Sequence, residues 1–145
     1  MVKPLVSDEN ITASFTRYYN DSHSTIIEKY LNLDPLQRDP IYQYFSPSIA
    51  NVTTLKKQNY SICTYEENKI PPAGLCLHRI SFLRKAAGNN KRFLELDILV
   101  NLVEAGHNRF AYVENAGLFH HHVKSLSDLI KKRSRNVTKV YFKAL

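Results

Sequence analysis

The clearest periodic pattern in the chain covers residues 93–105, where apolar residues recur at the three- and four-residue spacing of an α-helix. Gly106 follows directly, and glycine is the residue most often found just after a helix end. The pattern therefore predicts a helix over 93–105 that ends at Gly106. At about 3.6 residues per turn, Asp97 falls on the polar side of this helix and Glu95 on its apolar side.

Glu95 is unusual for a residue that only keeps a surface soluble, because it projects among apolar neighbours. The N–H groups at a helix start favour an ionised carboxylate, whereas apolar surroundings raise its pKa. These opposing influences can tune a carboxylate for chemistry. A capping or salt-bridged glutamate explains the same position, and for a carboxylate considered alone it is the commoner case.

Shorter patterns predict the remaining elements. A helix is expected over 24–33, a strand over 60–65, a helix over 78–87 closed by Gly88, and a strand over 109–113. Ser125, with an acidic residue three positions later, indicates the start of a last helix. Together these elements predict an α/β chain with a small mixed sheet flanked by helices.

Composition indicates one folded domain over residues 1–145. The chain is 43% hydrophobic and 23% charged, with four glycines, which excludes disordered and fibrous classes. Neither a spanning apolar run nor a signal peptide is expected, so a cytoplasmic protein is predicted. The two cysteines, Cys63 and Cys76, are interpreted as thiols rather than as a disulfide, because two are too few for a secreted framework.

The positive charge of the chain is concentrated at its C-terminal end. Residues 124–145 hold seven Lys or Arg residues against one acid, Asp128, in a chain of net charge +7. In the last helix, apolar residues recur at helical spacing while basic residues crowd the remaining surface. Such a helix can be an ordinary solvated element, a membrane-interface helix or a nucleic-acid binder, and its charge alone does not distinguish these three roles.

Three consecutive histidines follow the predicted strand at Leu118-Phe119. If the strand continued, alternation would place His120 and His122 on one face and His121 on the other. Two imidazoles can converge on one divalent ion, but they do not complete a site, and no carboxylate lies near them in sequence. A functional cluster and a fortuitous polar strand end both remain open.

Taken in order, these motifs resemble family 2 glycosyltransferases, the inverting GT-A enzymes that use nucleotide sugars. The resemblance covers about residues 71–141 and consists of the following segments: Gly74-Leu75-Cys76-Leu77-His78-Arg79, Glu95-Leu96-Asp97 before Gly106, Phe110-Ala111-Tyr112-Val113, His120-His121-His122-Val123-Lys124-Ser125-Leu126, and Lys132-Arg133-Ser134-Arg135-Asn136. Each segment alone is weak evidence for the resemblance, whereas the order and spacing of the segments together are more specific evidence.

The resemblance implies a role for individual residues. Asp97 is implied as the catalytic base, with Glu95 as the alternative, because an inverting transfer needs one carboxylate to take the acceptor hydroxyl proton. His122, with His120 as the alternative, is implied on the leaving-group side as a ligand of Mg²⁺ or Mn²⁺. The remaining implied roles are phosphate contacts by Arg135 and Arg133 and acceptor binding by Gly74 and Arg79.

The chain also departs from the family pattern. The acidic pair is spread as Glu-Leu-Asp, and Lys132 and Asn136 replace the glutamine and tryptophan of the Gln-x-x-Arg-Trp segment. Neither an Asp-x-Asp motif nor a nucleotide-binding strand-helix half is present. The chain is therefore expected to be the acceptor-side, C-terminal half of such an enzyme, inactive alone and dependent on a donor-binding half for its metal.

The implied partners are a nucleotide-sugar donor, a glycan or lipid-linked acceptor, and a second chain that supplies the donor-binding half. The main alternative, from a different class, is a non-catalytic basic module that docks on an anionic membrane surface or partner protein, and peripheral membrane association fits it. Nucleic-acid binding ranks last because no recognition motif is visible.

Overall fold

The computed structural model describes residues 1–33, 44–72, 75–87, 95–121 and 123–138. The chain divides into two compact units, which we name the sheet unit (Met1–Arg17 and Asp34–Gly117) and the tail unit (Tyr18–Leu33 and Leu118–Leu145).

Short helices and strands are interspersed along the chain. The described elements are α1 (Val2–Ser7), β1 (Ala13–Phe15), β2 (Tyr18–Tyr19), α2 (Ile26–Leu31), α3 (Ile49–Val52), β3 (Thr53–Lys56), β4 (Ser61–Thr64), β5 (Cys76–His78), α4 (Ile80–Ala87), α5 (Glu95–Glu104), β6 (Arg109–Tyr112), a 3₁₀ turn (Glu114–Ala116), β7 (Leu118–Phe119) and α6 (Leu126–Asn136).

The sheet unit is built on a five-stranded mixed sheet with strand order β3-β4-β6-β1-β5. β1 pairs in parallel with β6 and antiparallel with β5, and β4 is antiparallel to both β3 and β6. All three residues of β1 are buried, as expected for a strand with neighbours on both sides. β5 is therefore an edge strand of this sheet.

The two faces of the sheet carry different apolar clusters. Phe15 and Phe110 belong to a core that includes Leu99 of α5, so α5 covers this face. Ile62 and Ala111 point to the other face, where Leu5 of α1 packs against their cluster. Successive residues of a strand point to opposite faces of the sheet, and residues that are paired across neighbouring strands point to the same face. The pairing register therefore shows to which face each strand residue points.

Helix α5 confirms the strongest sequence prediction. Its buried side chains recur at helical spacing, and Gly106 follows with φ of 80°. The Gly106 N–H donates to the Val103 carbonyl at 3.0 Å, and the His107 N–H donates to the Leu102 carbonyl at 2.8 Å. These two bonds form a Schellman motif, which needs the left-handed backbone that glycine adopts without strain.

One predicted boundary is wrong. The sequence places His78 at the start of a helix, but Cys76–His78 forms β5 and the helix begins at Ile80. The three residues pair with β1, and this ladder engages the backbone groups on one side of the strand. Edge pairing with a buried strand thus outweighs the local helical pattern at this point.

The described residues of the tail unit form a small parallel ladder and two helices. β2 pairs with β7 through Tyr18↔Leu118 and Tyr19↔Phe119. A capping box begins α2, and the Ser125 hydroxyl accepts from the Asp128 N–H at 3.2 Å to begin α6, as the sequence predicts.

The fold is mixed α/β with a small mixed sheet flanked by helices, which confirms the predicted class. Both cysteines are free thiols, Cys63 buried and Cys76 partly buried. In the part of the chain that the structure describes, none of the helices combines the length and the apolar character needed to cross a membrane.

Candidate functional site

Three metal-ligating side chains of different chemistry meet in the sheet unit. Cys76, His78 and Glu95 each offer one ligand atom, and these atoms all lie within 4.8 Å of one another. Nε2 of His78 is 3.2 Å from Oε1 of Glu95, and the two side chains are only 11% and 24% exposed. We call these residues the β5–α5 cluster.

The sheet register explains why these residues meet. Cys76 pairs with Phe15 and His78 with Ala13, and both partners belong to the core on the α5 face. Cys76 and His78 are two positions apart in a strand, so their side chains project to that same face. Glu95 is the first residue of α5, and α5 is the helix that covers this face of the sheet.

The contacts within the cluster define its protonation. An ionised carboxylate only accepts hydrogen bonds, so Nε2 of His78 donates to Glu95 when Glu95 is charged. The thiol of Cys76 donates to the Pro72 carbonyl at 3.1 Å. Burial, reinforced by the negative charge of Glu95, raises the pKa of the Cys76 thiol far above its ordinary value. Cys76 is therefore a neutral thiol at physiological pH.

The two acidic candidates for the base have different surroundings. Glu95 is partly buried against His78, which fits its predicted place on the apolar side of the helix. Asp97 is exposed on the same helix, which fits its predicted place on the polar side. The structure thus brings Glu95 into a cluster of ionisable groups and leaves Asp97 on the surface of α5.

Arg79, predicted as an acceptor-binding residue, holds the N-terminal segment of the sheet unit. Its guanidinium donates to the carbonyls of Leu5 at 2.6 Å, Asp8 at 3.0 Å and Ile11 at 3.0 Å. Three backbone carbonyls converging on one planar cation make a strong structural tie. Gly74, the other predicted acceptor-binding residue, lies outside the described residues.

In the tail unit, His121 contacts two carboxylates that are far from it in the sequence. Its Nε2 is 3.2 Å from Oδ2 of Asp21, and its Nδ1 is 3.6 Å from Oε2 of Glu28. The strand before it ends at Phe119, so the alternation assumed for the histidines does not extend to them.

Glu28 has both oxygens engaged by the backbone. Oε2 accepts from the Thr25 N–H at 2.8 Å, and Oε1 accepts from the Val123 N–H at 3.3 Å. The pKa of Glu28 is lowered from 4.5 to about 2, mainly by the hydrogen bond from the Thr25 N–H, whereas burial alone would raise this pKa. The carboxylate is thus a charged acceptor at neutral pH that joins α2 to residue 123.

Asp21 is similarly engaged. Its Oδ1 accepts from the His23 N–H at 2.9 Å and from the Ser24 hydroxyl at 3.1 Å. Partial burial raises the pKa of Asp21, but these bonds and the neighbouring His121 outweigh it and lower the pKa below its usual range. Both carboxylates around His121 are therefore structural acceptors.

The remaining predicted residues lie in the tail unit. His120 is exposed and stacks on the Tyr18 ring with centroids 4.8 Å apart, and His122 lies outside the described residues. Arg133 and Arg135 are exposed on α6. Imidazole nitrogens favour Zn²⁺, Cu²⁺ or Ni²⁺, whereas Mg²⁺ and Mn²⁺ favour oxygen. These residues alone do not fit the implied Mg²⁺ or Mn²⁺ site, so we derive no step through that ion.

A shallow hollow of about 190 Å³ lies elsewhere in the sheet unit. It adjoins the second half of α5 and not the cluster at the start of this helix, and it is lined by Phe45, Asn68, Lys69, Ile70, Val100, Val103 and Glu104. Its lining is mostly apolar, and Lys69 donates to the Tyr44 carbonyl at 2.7 Å. The hollow therefore does not contain the ionisable cluster.

Sequence reasoning missed Cys76 and His78 as site residues. The available signal was the Cys-x-His spacing, which places two ligands on one face of a strand. It was hidden because His78 was assigned to a helix. For Asp21 and Glu28 the sequence carries no comparable signal, since both meet His121 only through long-range pairing.

The chain was compared with protein-family models, curated proteins and solved structures, and none of the three comparisons gave a match. The function of the chain is therefore inferred from its sequence motifs and from the geometry of its side-chain clusters.

Proposed function

We propose that this chain is the acceptor-side, base-bearing part of a family 2-like glycosyltransferase. It would transfer a sugar from a nucleotide sugar to an acceptor hydroxyl with inversion, once joined to a donor-binding half. The observation that supports the proposal is the contact between His78 and Glu95, in which Nε2 lies 3.2 Å from Oε1. Glu95 belongs to the acidic motif and His78 to the motif that precedes it in the sequence. Two segments of the proposed motif order thus meet in space.

Glu95 is better placed than Asp97 to act as the base. A general base works best when a neighbouring group fixes its orientation and limits its hydration. His78 holds one oxygen of Glu95, and the side chain is 24% exposed, so an acceptor can still reach the carboxylate. Asp97, exposed two residues later, is the alternative base.

The reaction step assigned to Glu95 is a proton transfer. As the acceptor oxygen attacks the anomeric carbon, its proton passes to the Glu95 carboxylate, and the bond from that carbon to the nucleotide diphosphate breaks. His78 donates to the carboxylate before the step and keeps it aimed. Arg133 and Arg135, exposed on α6, carry positive charge suited to phosphate groups.

Sugar transfer by an assembled enzyme tests this proposal. The full chain is combined with the polypeptide encoded directly upstream, and nucleoside diphosphate release is measured over a panel of nucleotide sugars and glycan acceptors. Glu95→Gln should lower the rate by about 10²- to 10⁴-fold, the usual contribution of a general base. Asp97→Asn is the matched control and should retain most of the activity.

Two results would count against the proposal. The absence of both transfer and calorimetric binding of UDP with Mn²⁺, in the chain alone and in the combination, would remove the glycosyltransferase assignment. Loss of transfer in Asp97→Asn with full activity in Glu95→Gln would move the base to Asp97.

Helix α6 favours a second candidate function, docking on an anionic membrane surface. Leu126, Ile130 and Val137 are 61%, 59% and 45% exposed, and their spacings of four and seven residues place them on one side. Lys131 and Arg135 lie on the opposite side. An exposed apolar stripe opposite basic residues is typical of helices that lie in a lipid interface.

Arg133 interrupts this apolar stripe, since it lies seven residues after Leu126. A long basic side chain can extend its charged end toward the headgroups while its stem stays apolar. Arg133 is therefore compatible with a shallow interfacial position and not with deep insertion.

Vesicle flotation tests the docking function. The chain should float with vesicles that contain phosphatidylserine and not with neutral vesicles, and high salt should reverse the binding. The Leu126→Ser, Ile130→Ser double variant should lose flotation. Ile26→Ser is the matched control, because Ile26 is 86% exposed on α2 of the same unit. Equal flotation of both variants, or none by the native chain, would contradict this function.

A further inference from the structure

The β5–α5 cluster brings together a thiol, an imidazole and a carboxylate, a ligand set with a definite chemical preference. Thiolate and imidazole ligands favour Zn²⁺ and similar transition metals over Mg²⁺ or Ca²⁺. We propose that Cys76, His78 and Glu95 form a site for Zn²⁺ or a chemically similar divalent ion. This inference does not depend on the glycosyltransferase assignment.

The distances allow one ion to reach all three ligands. Ligand atoms around a tetrahedral Zn²⁺ lie about 3.5 Å from one another, given metal–ligand bonds of about 2.0 to 2.3 Å. The cluster atoms already lie within 4.8 Å of one another. Side-chain rotations that move the ligand atoms by about 1 Å would bring them to the spacing of a Zn²⁺ site, without movement of the paired backbone of β5.

The scaffold holds the ligands in fixed directions. Cys76 and His78 belong to a strand that is hydrogen-bonded to the buried β1, and Glu95 begins a helix that packs on the same face. Ligands on regular elements are positioned more precisely than ligands on loops. Partial exposure of Glu95 leaves a route by which the ion can enter.

Metal binding requires two proton shifts at the cluster. The Cys76 thiol, which donates to the Pro72 carbonyl in the metal-free chain, must lose its proton to solvent and bind as thiolate. The ring nitrogen of His78 that binds the ion must offer a lone pair, so the ring proton must lie on the other nitrogen. The charge of the ion favours both changes, because a cation reverses the local preference for the neutral thiol.

Three protein ligands leave a fourth coordination position for water or a small ligand. If Glu95 is also the base proposed above, an ion bound to its carboxylate would block the proton transfer, and Zn²⁺ would inhibit sugar transfer. This consequence alone depends on the proposed function, and the binding experiment below does not involve transfer.

Cobalt substitution tests the site. The full-length chain is titrated with Co²⁺, and the near-ultraviolet charge-transfer band of a cobalt-bound thiolate is recorded. The chain has two cysteines, so Cys63→Ser and Cys76→Ser make a matched pair. We expect one equivalent of Co²⁺ to give the band in the native chain and in Cys63→Ser, no band in Cys76→Ser, and its disappearance when Zn²⁺ is added.

The other ligands and the folding of the variants need their own measurements. His78→Gln should weaken binding at least tenfold, and His121→Gln should leave it unchanged, which separates the cluster from the other histidines. Alkylation of Cys76 in the Cys63→Ser chain, followed by mass spectrometry, does not depend on folding of Cys76→Ser. Zn²⁺ should slow this alkylation.

Several results would overturn the site. These are the absence of the charge-transfer band in the native chain, its persistence in correctly folded Cys76→Ser, and equal alkylation rates of Cys76 with and without Zn²⁺. A band lost in His121→Gln but kept in His78→Gln would also overturn it.

Discussion

The two units of the chain each contain a histidine beside a carboxylate at 3.2 Å, but the two carboxylates are held differently. In the sheet unit, His78 meets Glu95. In the tail unit, His121 meets Asp21 and lies 3.6 Å from Glu28. The distances are nearly equal, so distance alone does not separate a structural contact from a candidate site.

The difference lies in the donors that surround each carboxylate. Glu28 accepts from two backbone N–H groups, which cannot leave without disturbing the fold. The described contacts of Glu95 in its cluster are with the side chains of His78 and Cys76. Side chains can rotate toward a substrate or an ion, whereas a backbone donor cannot. Glu28 therefore has a structural role, and Glu95 is the residue to which the proposed chemistry is assigned.

Arg79 extends the comparison to a cation held by the backbone. Arg79→Ala should lower the free energy of unfolding by about 3 kcal/mol, because three carbonyls lose a charged donor. Arg79→Lys should recover only part of this, since an ammonium lacks the planar fork. Urea unfolding measures both. A loss below about 0.5 kcal/mol in Arg79→Ala would show that the tie is not structural.

Glu28 should make the free energy of unfolding depend on pH in the acidic range. Its pKa is lowered from 4.5 to about 2, so its stabilising contribution is complete above pH 4.5 and is lost as the pH falls toward 2. Glu28→Gln removes this dependence, because the amide does not titrate in this range.

Thermal unfolding at a series of pH values between 2 and 5 measures the effect. The difference in Tm between the native chain and Glu28→Gln should be largest above pH 4.5 and should shrink toward pH 2. A difference that grows toward pH 2 would contradict the assignment of Glu28 as a charged structural acceptor.

The histidines should show the smallest effects. His121 is 46% exposed, so His121→Ala should cost about 0.5 kcal/mol or less. His78 is 11% exposed, and His78→Ala should cost about 1 to 2 kcal/mol because a partly buried acceptor loses its donor. Denaturant unfolding of the two variants gives both values, and the reverse order would contradict the comparison.

The elements that the sequence predicted are those with strong local signals. The period of α5 and the glycine after it are sufficient to define that helix, and Ser125 with Asp128 defines the start of α6. Strand β5 escaped prediction because three residues are too short for a period, and its pairing with β1 is not encoded locally.

The candidate site was only partly predictable for the same reason. Helical periodicity identified Glu95 as a carboxylate on the apolar side, but its partners come from the edge strand. The contacts of His121 depend on Asp21 and Glu28, which precede it by about a hundred residues. Such meetings follow from tertiary pairing, which no local pattern of residues specifies.

The proposed role of Glu95 is chemical and that of Glu28 is structural, and urea unfolding at pH 7 of Glu95→Gln and Glu28→Gln compares the two roles directly. The two substitutions are chemically identical. Glu95→Gln should change the free energy of unfolding by less than about 1 kcal/mol, the value of a carboxylate at a helix start. Glu28→Gln should cost more, because one backbone N–H then faces an amide NH₂. A loss in Glu95→Gln equal to or larger than that in Glu28→Gln would contradict these roles.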